Sequence, residues 1–459
     1  MLKLVIPESL VLPLYERLSG RHAWSEFQRL RSLQWRPAPE LEARAQEKLR
    51  GIVVHAAAHV PYYRDLFRAH GLDPREVRSL HDLARVPLTT KATLRREFPD
   101  RTVAANVPRR RLIAGTTSGS TGAPFRFYRD RVAEDGRHAS YRFFLDWTGA
   151  TLRDARIVIA YPANTPRDTL AVSAARRVLL GERTVLLSGV DLAVAGLRRE
   201  IDRLRGGPYF VQAYPSYATR LAGAMLDEGL ALPAYPVAVI AVTETLTPNN
   251  ADAIGRAFRC RVANHYSSWE ILHIAQSCPD NPDVLHVDSE RVVAWIARAD
   301  GLPAPAGERG RVVLTDLDNY AMPFINYDIG DWAVADRQCP CGRGLPAIRG
   351  LEGRVGEVIH TPDGRVIAPG ALTRRLTRQV VDHVWEFQAE QVSSDAVLLR
   401  LVPSAQFTAE TGRALQRDLG EFFGPAMRVS IDVVDRIPLE ASGKRLIIKP
   451  LPGDGASTG

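Results

Sequence analysis

Apolar residues recur at helical spacing along Leu41 to His59, at Leu41, Ala45, Leu49, Ile52, Val53 and Ala56, and the rhythm stops at Pro61. Positions three and four apart share one face of a helix, so this pattern predicts a helix over 41–59. Ser79 ahead of Leu80-His81-Asp82-Leu83 predicts a second, short, serine-capped helix. The region from residue 1 to about 100 therefore reads as helical. Downstream, short apolar runs at Ile157–Ala160, Thr184–Leu187 and Val237–Val242 alternate with helical segments such as Leu192–Leu204. That alternation predicts parallel sheet with crossover helices. Further strands are expected at 309–316 and 331–335, and after Gly350-Leu351-Glu352-Gly353 the pattern restarts as a small unit ending in Ile447-Ile448. The expected fold class is thus α/β: a large N-terminal domain of parallel sheets and helices, and a small, mobile C-terminal α+β domain. Its expected parts are 1–100 (helical), 101–352 (core of the large domain), 353–450 (small domain) and a Gly/Ser-rich, disordered tail at 451–459.

Length and composition narrow the class. A chain of 459 residues with 45% apolar and 24% charged residues is long enough for more than one core. The net charge of +8 is carried almost wholly by arginine, since the lysines are Lys3, Lys48, Lys91, Lys444 and Lys449. A basic balance suits anionic small molecules, whereas no Lys/Arg block with interleaved aromatics points to nucleic acid. No apolar run reaches the roughly 18 residues that span a bilayer. The opening Met1–Glu8 is too short and interrupted for a signal peptide, so a cytoplasmic enzyme without membrane attachment is expected. Four cysteines in so long a chain are no disulfide framework.

Candidate chemistry begins at Thr116-Thr117-Ser118-Gly119-Ser120-Thr121-Gly122-Ala123-Pro124. Glycines let backbone N–H groups approach an anion and hydroxyls add donors, so the segment fits phosphate oxygens; it lacks the Gly-Lys-Ser/Thr ending of a Walker loop. Further along, Glu270 follows the small-residue turn Tyr266-Ser267-Ser268-Trp269. The acidic turn Asp328-Ile329-Gly330-Asp331 suits vicinal hydroxyls, Arg354 stands between Gly353 and Gly356, and Ser442-Gly443-Lys444 offers an ammonium on a mobile loop.

The order and spacing of these segments resemble the adenylate-forming superfamily of acyl-CoA synthetases, adenylation domains and luciferases. His59-Val60-Pro61-Tyr62-Tyr63-Arg64 and Leu83-Ala84-Arg85-Val86-Pro87-Leu88-Thr89-Thr90-Lys91 are similar, more narrowly, to the phenylacetate-CoA ligase branch and its capsule-biosynthesis, CapK-like relatives. The resemblance implies ATP and Mg²⁺ as cofactors and formation of an acyl-AMP. Thr116 to Gly122 would hold phosphates, Glu270 would serve Mg²⁺, Asp331 would bind the ribose hydroxyls, and Tyr266 would lie near adenine. Lys444 would be the adenylation catalyst, with Lys449 as the alternative, and Arg354 and Glu357 would lie at a hinge, with Arg354 also able to reach phosphate or ribose. Ser267, Trp269 and Asp328 depart from the superfamily pattern. The expected partners are a small carboxylic acid, aryl or otherwise, and coenzyme A as acceptor. An amine or a carrier-protein thiol is the alternative acceptor, a decayed nucleotide-binding protein is the non-enzymatic alternative, and a homodimer stays open. An acyl pocket is expected from Tyr161, Tyr214, Pro215, Val242, Thr243, Glu244 and His265.

A second constellation is independent of ATP. Cys339-Pro340-Cys341 forms a knuckle-like pair, with Cys278 and His286 upstream. Three thiolates and an imidazole make the closed tetrahedral set of a structural Zn²⁺ site. His273 and His265 are alternatives for the nitrogen ligand, and Cys260 reads as a core residue on a strand.

Overall fold

A computed structural model describes residues 8–117, 125–162, 183–336, 339–354, 356–380, 383–440 and 443–451. Most of the expected phosphate loop (Ser118 to Pro124), Ser442 and the tail from 452 lie outside the described residues. The chain forms two compact units: one of residues 1–147, 265–329 and 333–350, the other of 148–264, 330–332 and 351–459.

In the first unit the expected helix spans Ala38–His59 and buries Leu41, Ala45, Leu49, Ile52, Val53 and Ala56. It breaks at Val60, whose backbone is extended, and the next helix, Pro61–Ala69, begins on the proline. The pyrrolidine ring disfavours helical geometry at the residue before it, while its missing N–H costs nothing at a first helical position. Ser79 caps Leu80–Leu83 by accepting from the Asp82 N–H. These helices pack Leu49, Ile52, Val53, Tyr63 and Phe67 against Trp295, Val313, Leu317 and Ile325. Trp295 and Val313 belong to a largely antiparallel sheet in which Leu272–Ser277 pairs with Val284–Val287, Val284–Val287 with Ala347–Arg349, and Val292–Ala297 with Arg309–Asp316, while Leu317 and Ile325 lie between its strands. Thr89 and Thr90 run parallel to Tyr327 and Asp328, so Lys91, the first residue of the helix Lys91–Glu97, is delivered beside that strand.

In the second unit Thr184–Ser188, Ala155–Ala160, Tyr209–Ala213, Ala238–Ala241 and Arg261–Asn264 form a parallel sheet in that order. Every residue of Ala238–Ala241 is buried, as expected of a strand covered on both faces. Cys260 immediately precedes the strand Arg261–Ser268 instead of lying on it, and is half-buried. The C-terminal part of this unit is a small domain with its own sheet, ordered Arg428–Val433, Ala396–Pro403, Val384–Ser393, Ile448–Lys449. The helices Pro369–Val380 and Ala409–Phe423 belong to this domain, whose core includes Leu372, Leu376, Phe387, Leu399, Leu415 and Leu419. Among the described residues no helix is long and apolar enough to cross a membrane.

Candidate active site and metal cluster

Thr116 and Thr117 end the strand Ile113–Thr117, which pairs antiparallel with Phe125–Arg129. Glu270, from the same unit, is buried with 2% exposure. Its Oε1 is 2.9 Å from the Lys91 ammonium and accepts from the Tyr327 hydroxyl at 3.0 Å. Burial opposes ionisation of this carboxyl, but the Lys91 charge and hydrogen bond and the Tyr327 hydroxyl outweigh it and hold the pKa below the usual carboxylate value. Glu270 is therefore an ionised, hard oxygen donor of the kind Mg²⁺ takes. Lys91, which sequence reasoning left without a role, was flagged only by lysine's rarity and its place after Thr89-Thr90. Next to Glu270, Trp269 is 44% exposed, and its carbonyl accepts from Arg129 at 3.3 Å. Tyr266 is buried. Asp328, at the departure from the ribose motif, is paired with Arg311 at 2.6 Å.

The second unit assembles the remaining charged positions. Asp331 is buried to 8% exposure and its Oδ1 lies 3.2 Å from Nε of Arg354. Glu357 joins them. Burial pushes its pKa up to about 7, against the Arg354 cation, with Asp331 adding to the rise and Lys444 opposing it. Three stretches distant in sequence, at 331, 354–357 and 444, thus lie within electrostatic reach of one another. Lys449 instead pairs with Glu390 at 3.2 Å on the small domain's sheet.

The residues expected around an acyl group behave differently from one another. Val242 is buried, Thr243 is exposed with a left-handed φ of 78°, and Tyr214 stacks on Tyr217 with ring centroids 5.6 Å apart. Tyr161 and Glu244 touch the segment that carries Lys444. His265, in the first unit, is buried; its Nδ1 meets Gln276 Oε1 at 2.9 Å and its Nε2 meets His273 Nδ1 at 2.7 Å. Burial brings the His265 pKa down to about 4, with the Gln276 bond opposing, so this imidazole pair is neutral.

That pairing leaves His286 as the nitrogen beside the cysteines. Ligand atoms of Cys278, His286, Cys339 and Cys341 all lie within 4.8 Å of one another. Cys278 Sγ and Cys339 Sγ are 3.8 Å apart, and Cys341 Sγ is 3.3 Å from His286 Nε2. Tetrahedral Zn²⁺ with Zn–S of about 2.3 Å and Zn–N of about 2.0 Å requires sulfurs about 3.8 Å apart and sulfur–nitrogen distances of about 3.5 Å. The donor set fits. His286 Nδ1 faces the Leu345 carbonyl at 3.2 Å, which directs Nε2 into the cluster, and the Arg343 N–H reaches Cys341 Sγ at 3.5 Å. His286 owes its place to the register of Val284–Val287, where it pairs with Ala347.

The fold, with its parallel and antiparallel sheets and small C-terminal domain, is shared with solved structures of acyl-CoA ligases. Residues 359–450 match the CapK C-terminal domain. Along its length the chain is similar to the phenylacetate-coenzyme A ligase of Thermus thermophilus, 25% identical over 404 residues and covering 83% of this chain and 86% of the relative. It is also similar to protein CapK of Staphylococcus aureus, 20% identical over 93% of this chain and 91% of the relative. Among solved structures, 2-hydroxyisobutyryl-CoA ligase in the postadenylation state with R3-HIB-AMP superimposes with a TM-score of 0.70 at 20% identity, over 91% of each chain. The resemblance to phenylacetate-CoA ligases and CapK read from the motifs holds for most of the chain.

Proposed function

We propose that this chain is an ATP-dependent, AMP-forming ligase that adenylates a small carboxylic acid and passes the acyl group to coenzyme A. The observation that carries the reading is the convergence of Asp331, Arg354, Glu357 and Lys444 from three separate stretches. The names of the relatives, phenylacetate-coenzyme A ligase and 2-hydroxyisobutyryl-CoA ligase, support a thiol acceptor.

In this reading the substrate carboxylate attacks the α-phosphorus of ATP in line and pyrophosphate leaves, so the protein's tasks are alignment and charge neutralisation. Thr116 to Gly122 cradle the phosphates with hydroxyls and backbone N–H groups. Asp331 accepts from the ribose hydroxyls, held in place by Arg354. Tyr266 lies near adenine, and Lys444 sets a compact positive charge against the oxygens of the transition state. Bound Mg²⁺ would neutralise phosphate charge, and Glu270 is the carboxylate that would hold it. Cys278, His286, Cys339 and Cys341 would hold a structural Zn²⁺ that ties the Cys339–Cys341 knuckle to the end of Leu272–Ser277 and to the strand Val284–Val287. Tyr161, Tyr214, Val242, Thr243 and His265 remain the candidate surroundings of the acyl group, whereas the Glu244 carboxylate is taken up by Ser216 and the Arg445 N–H.

A second reading keeps the adenylation and passes the acyl group to an amine or a carrier-protein thiol. Product analysis separates the two. With ATP, Mg²⁺ and a panel of aryl, heteroaryl and short aliphatic acids, mass spectrometry should detect acyl-AMP, and added coenzyme A should convert it to a thioester. Acyl-AMP that accumulates untouched by coenzyme A would support the second reading, and no AMP formation with any acid would count against both.

A further inference from the structure

We propose that Glu244 is a positioning residue for Lys444: its carboxylate anchors the Gly443–Arg445 backbone, so formation of the acyl-AMP depends on it and transfer of the acyl group does not. The inference rests on the adenylation reading above. Glu244 lies outside every nucleotide motif, yet its surroundings are those of an anchor. It follows Thr243, a non-glycine residue with φ of 78°, and its N–H donates to the Val242 carbonyl at 2.9 Å, closing a tight turn. A left-handed threonine costs energy that must be offset by what the turn achieves.

The turn aims the Glu244 carboxylate at the start of the helix Pro215–Asp227. Oε2 accepts from the Ser216 N–H at 2.9 Å and Oε1 from the Ser216 hydroxyl at 3.1 Å. The third donor comes from the far end of the chain: the Arg445 N–H, 2.8 Å from Oε1. The same helix holds the other side of Lys444, because the Tyr217 hydroxyl donates to the Gly443 carbonyl at 3.1 Å. Gly443 has φ of 74°, and Tyr161 fills the space a side chain would need, its ring carbon 2.0 Å from where a Cβ would stand. The Arg445 guanidinium is buried 3.9 Å from the carboxylate of Glu386, itself buried. Lys444 is thereby gripped through both of its chain neighbours, and Glu244 supplies an ionic acceptor to that backbone. If Glu244 only capped the helix, its loss would lower stability and leave the two half-reactions in their original ratio.

The test compares wild type, Glu244→Ala, Glu244→Gln and Tyr217→Phe. Each is measured for amide hydrogen exchange at 443–446 without ligands and for single-turnover rates of acyl-AMP formation and of acyl transfer from supplied acyl-AMP. Loss of a charge-assisted backbone bond predicts exchange at Arg445 faster by about 10- to 100-fold in Glu244→Ala, and acyl-AMP formation slower by a similar factor. Acyl transfer should stay within about twofold, and Glu244→Gln, which keeps one acceptor oxygen, should fall between. Tyr217→Phe should reproduce the selectivity more weakly through Gly443, and decides the matter if a Glu244 variant folds poorly. Wild-type exchange at Arg445 in Glu244→Ala, or equal loss of both half-reactions, overturns the proposal. If the wild type adenylates no acid, the functional reading fails on its own, and the exchange comparison still decides whether Glu244 anchors the segment.

Discussion

Replacing Lys91 with methionine deletes the ammonium 2.9 Å from Glu270 while keeping an apolar stem against Phe125, over whose ring the Lys91 nitrogen sits at 5.6 Å. The Glu270 side chain is 3% exposed and that of Lys91 30%, so the variant strands a buried carboxylate that keeps the Tyr327 hydroxyl as a donor. Breaking a buried pair costs about 3–5 kcal/mol; with one partner partly in water, about 2–3 kcal/mol is expected near pH 7. The sign of the pH dependence is specific. In the wild type the Glu270 pKa is depressed below 4.5, so the pair's contribution is present above that value and lost as pH falls through the depressed one. In Lys91→Met burial dominates and raises the carboxyl above 4.5, so the variant's penalty is largest at neutral pH and shrinks as acid protonates it. Urea unfolding followed by tryptophan fluorescence at about pH 7.5 and about pH 5 measures both effects. A Lys91→Met/Glu270→Gln double variant, with no charge to strand, should recover most of the loss. An equal loss at both pH values, or a double variant no milder than Lys91→Met, would refute the reasoning.

Three further outcomes are expected. Purified protein should contain about one zinc per chain, absent from a Cys339→Ser/Cys341→Ser variant; metal-free, equally stable wild type would contradict the cluster's assignment. Glu357 has a folded pKa of about 7 against an ordinary 4.5, so the native state binds the extra proton and its contribution to stability falls as pH rises between these values. Glu357→Gln should therefore remove that fall from the pH–stability curve, and identical curves would exclude a raised Glu357. Lys444→Ala should slow acyl-AMP formation by at least about 100-fold while sparing acyl transfer from preformed acyl-AMP, as expected when one charge is removed from the transition state of a single half-reaction. Equal slowing of both half-reactions would contradict that role.

The helices and parallel strands were legible because each follows from local rules. The face from Leu41 to Ala56, the Ser79 cap and the stop at Pro61 all reappear, as do strands at Ala155–Ala160, Thr184–Ser188 and Ala238–Ala241. The Cys/His cluster was legible from residue chemistry, although only the register of Val284–Val287 separates His286 from His273, whose ring is engaged by His265. Partners set by long-range packing were not legible. The short Thr89–Thr90 pairing that sets Lys91 against Glu270 leaves no periodic trace. Likewise, nothing local connects Glu244 to Arg445, which is 201 residues away. A carboxylate between two apolar stretches reads equally as pocket lining or as anchor until the fold supplies its donors.

The central claim is that this protein forms an acyl-AMP, and ATP–pyrophosphate exchange without any acceptor tests it most directly. With Mg²⁺ and a panel of aryl, heteroaryl, amino and short aliphatic acids, the account predicts exchange that depends strictly on one class of acid and is abolished in Lys444→Ala. Bound ATP without exchange across the whole panel, or exchange indifferent to Lys444, would contradict it.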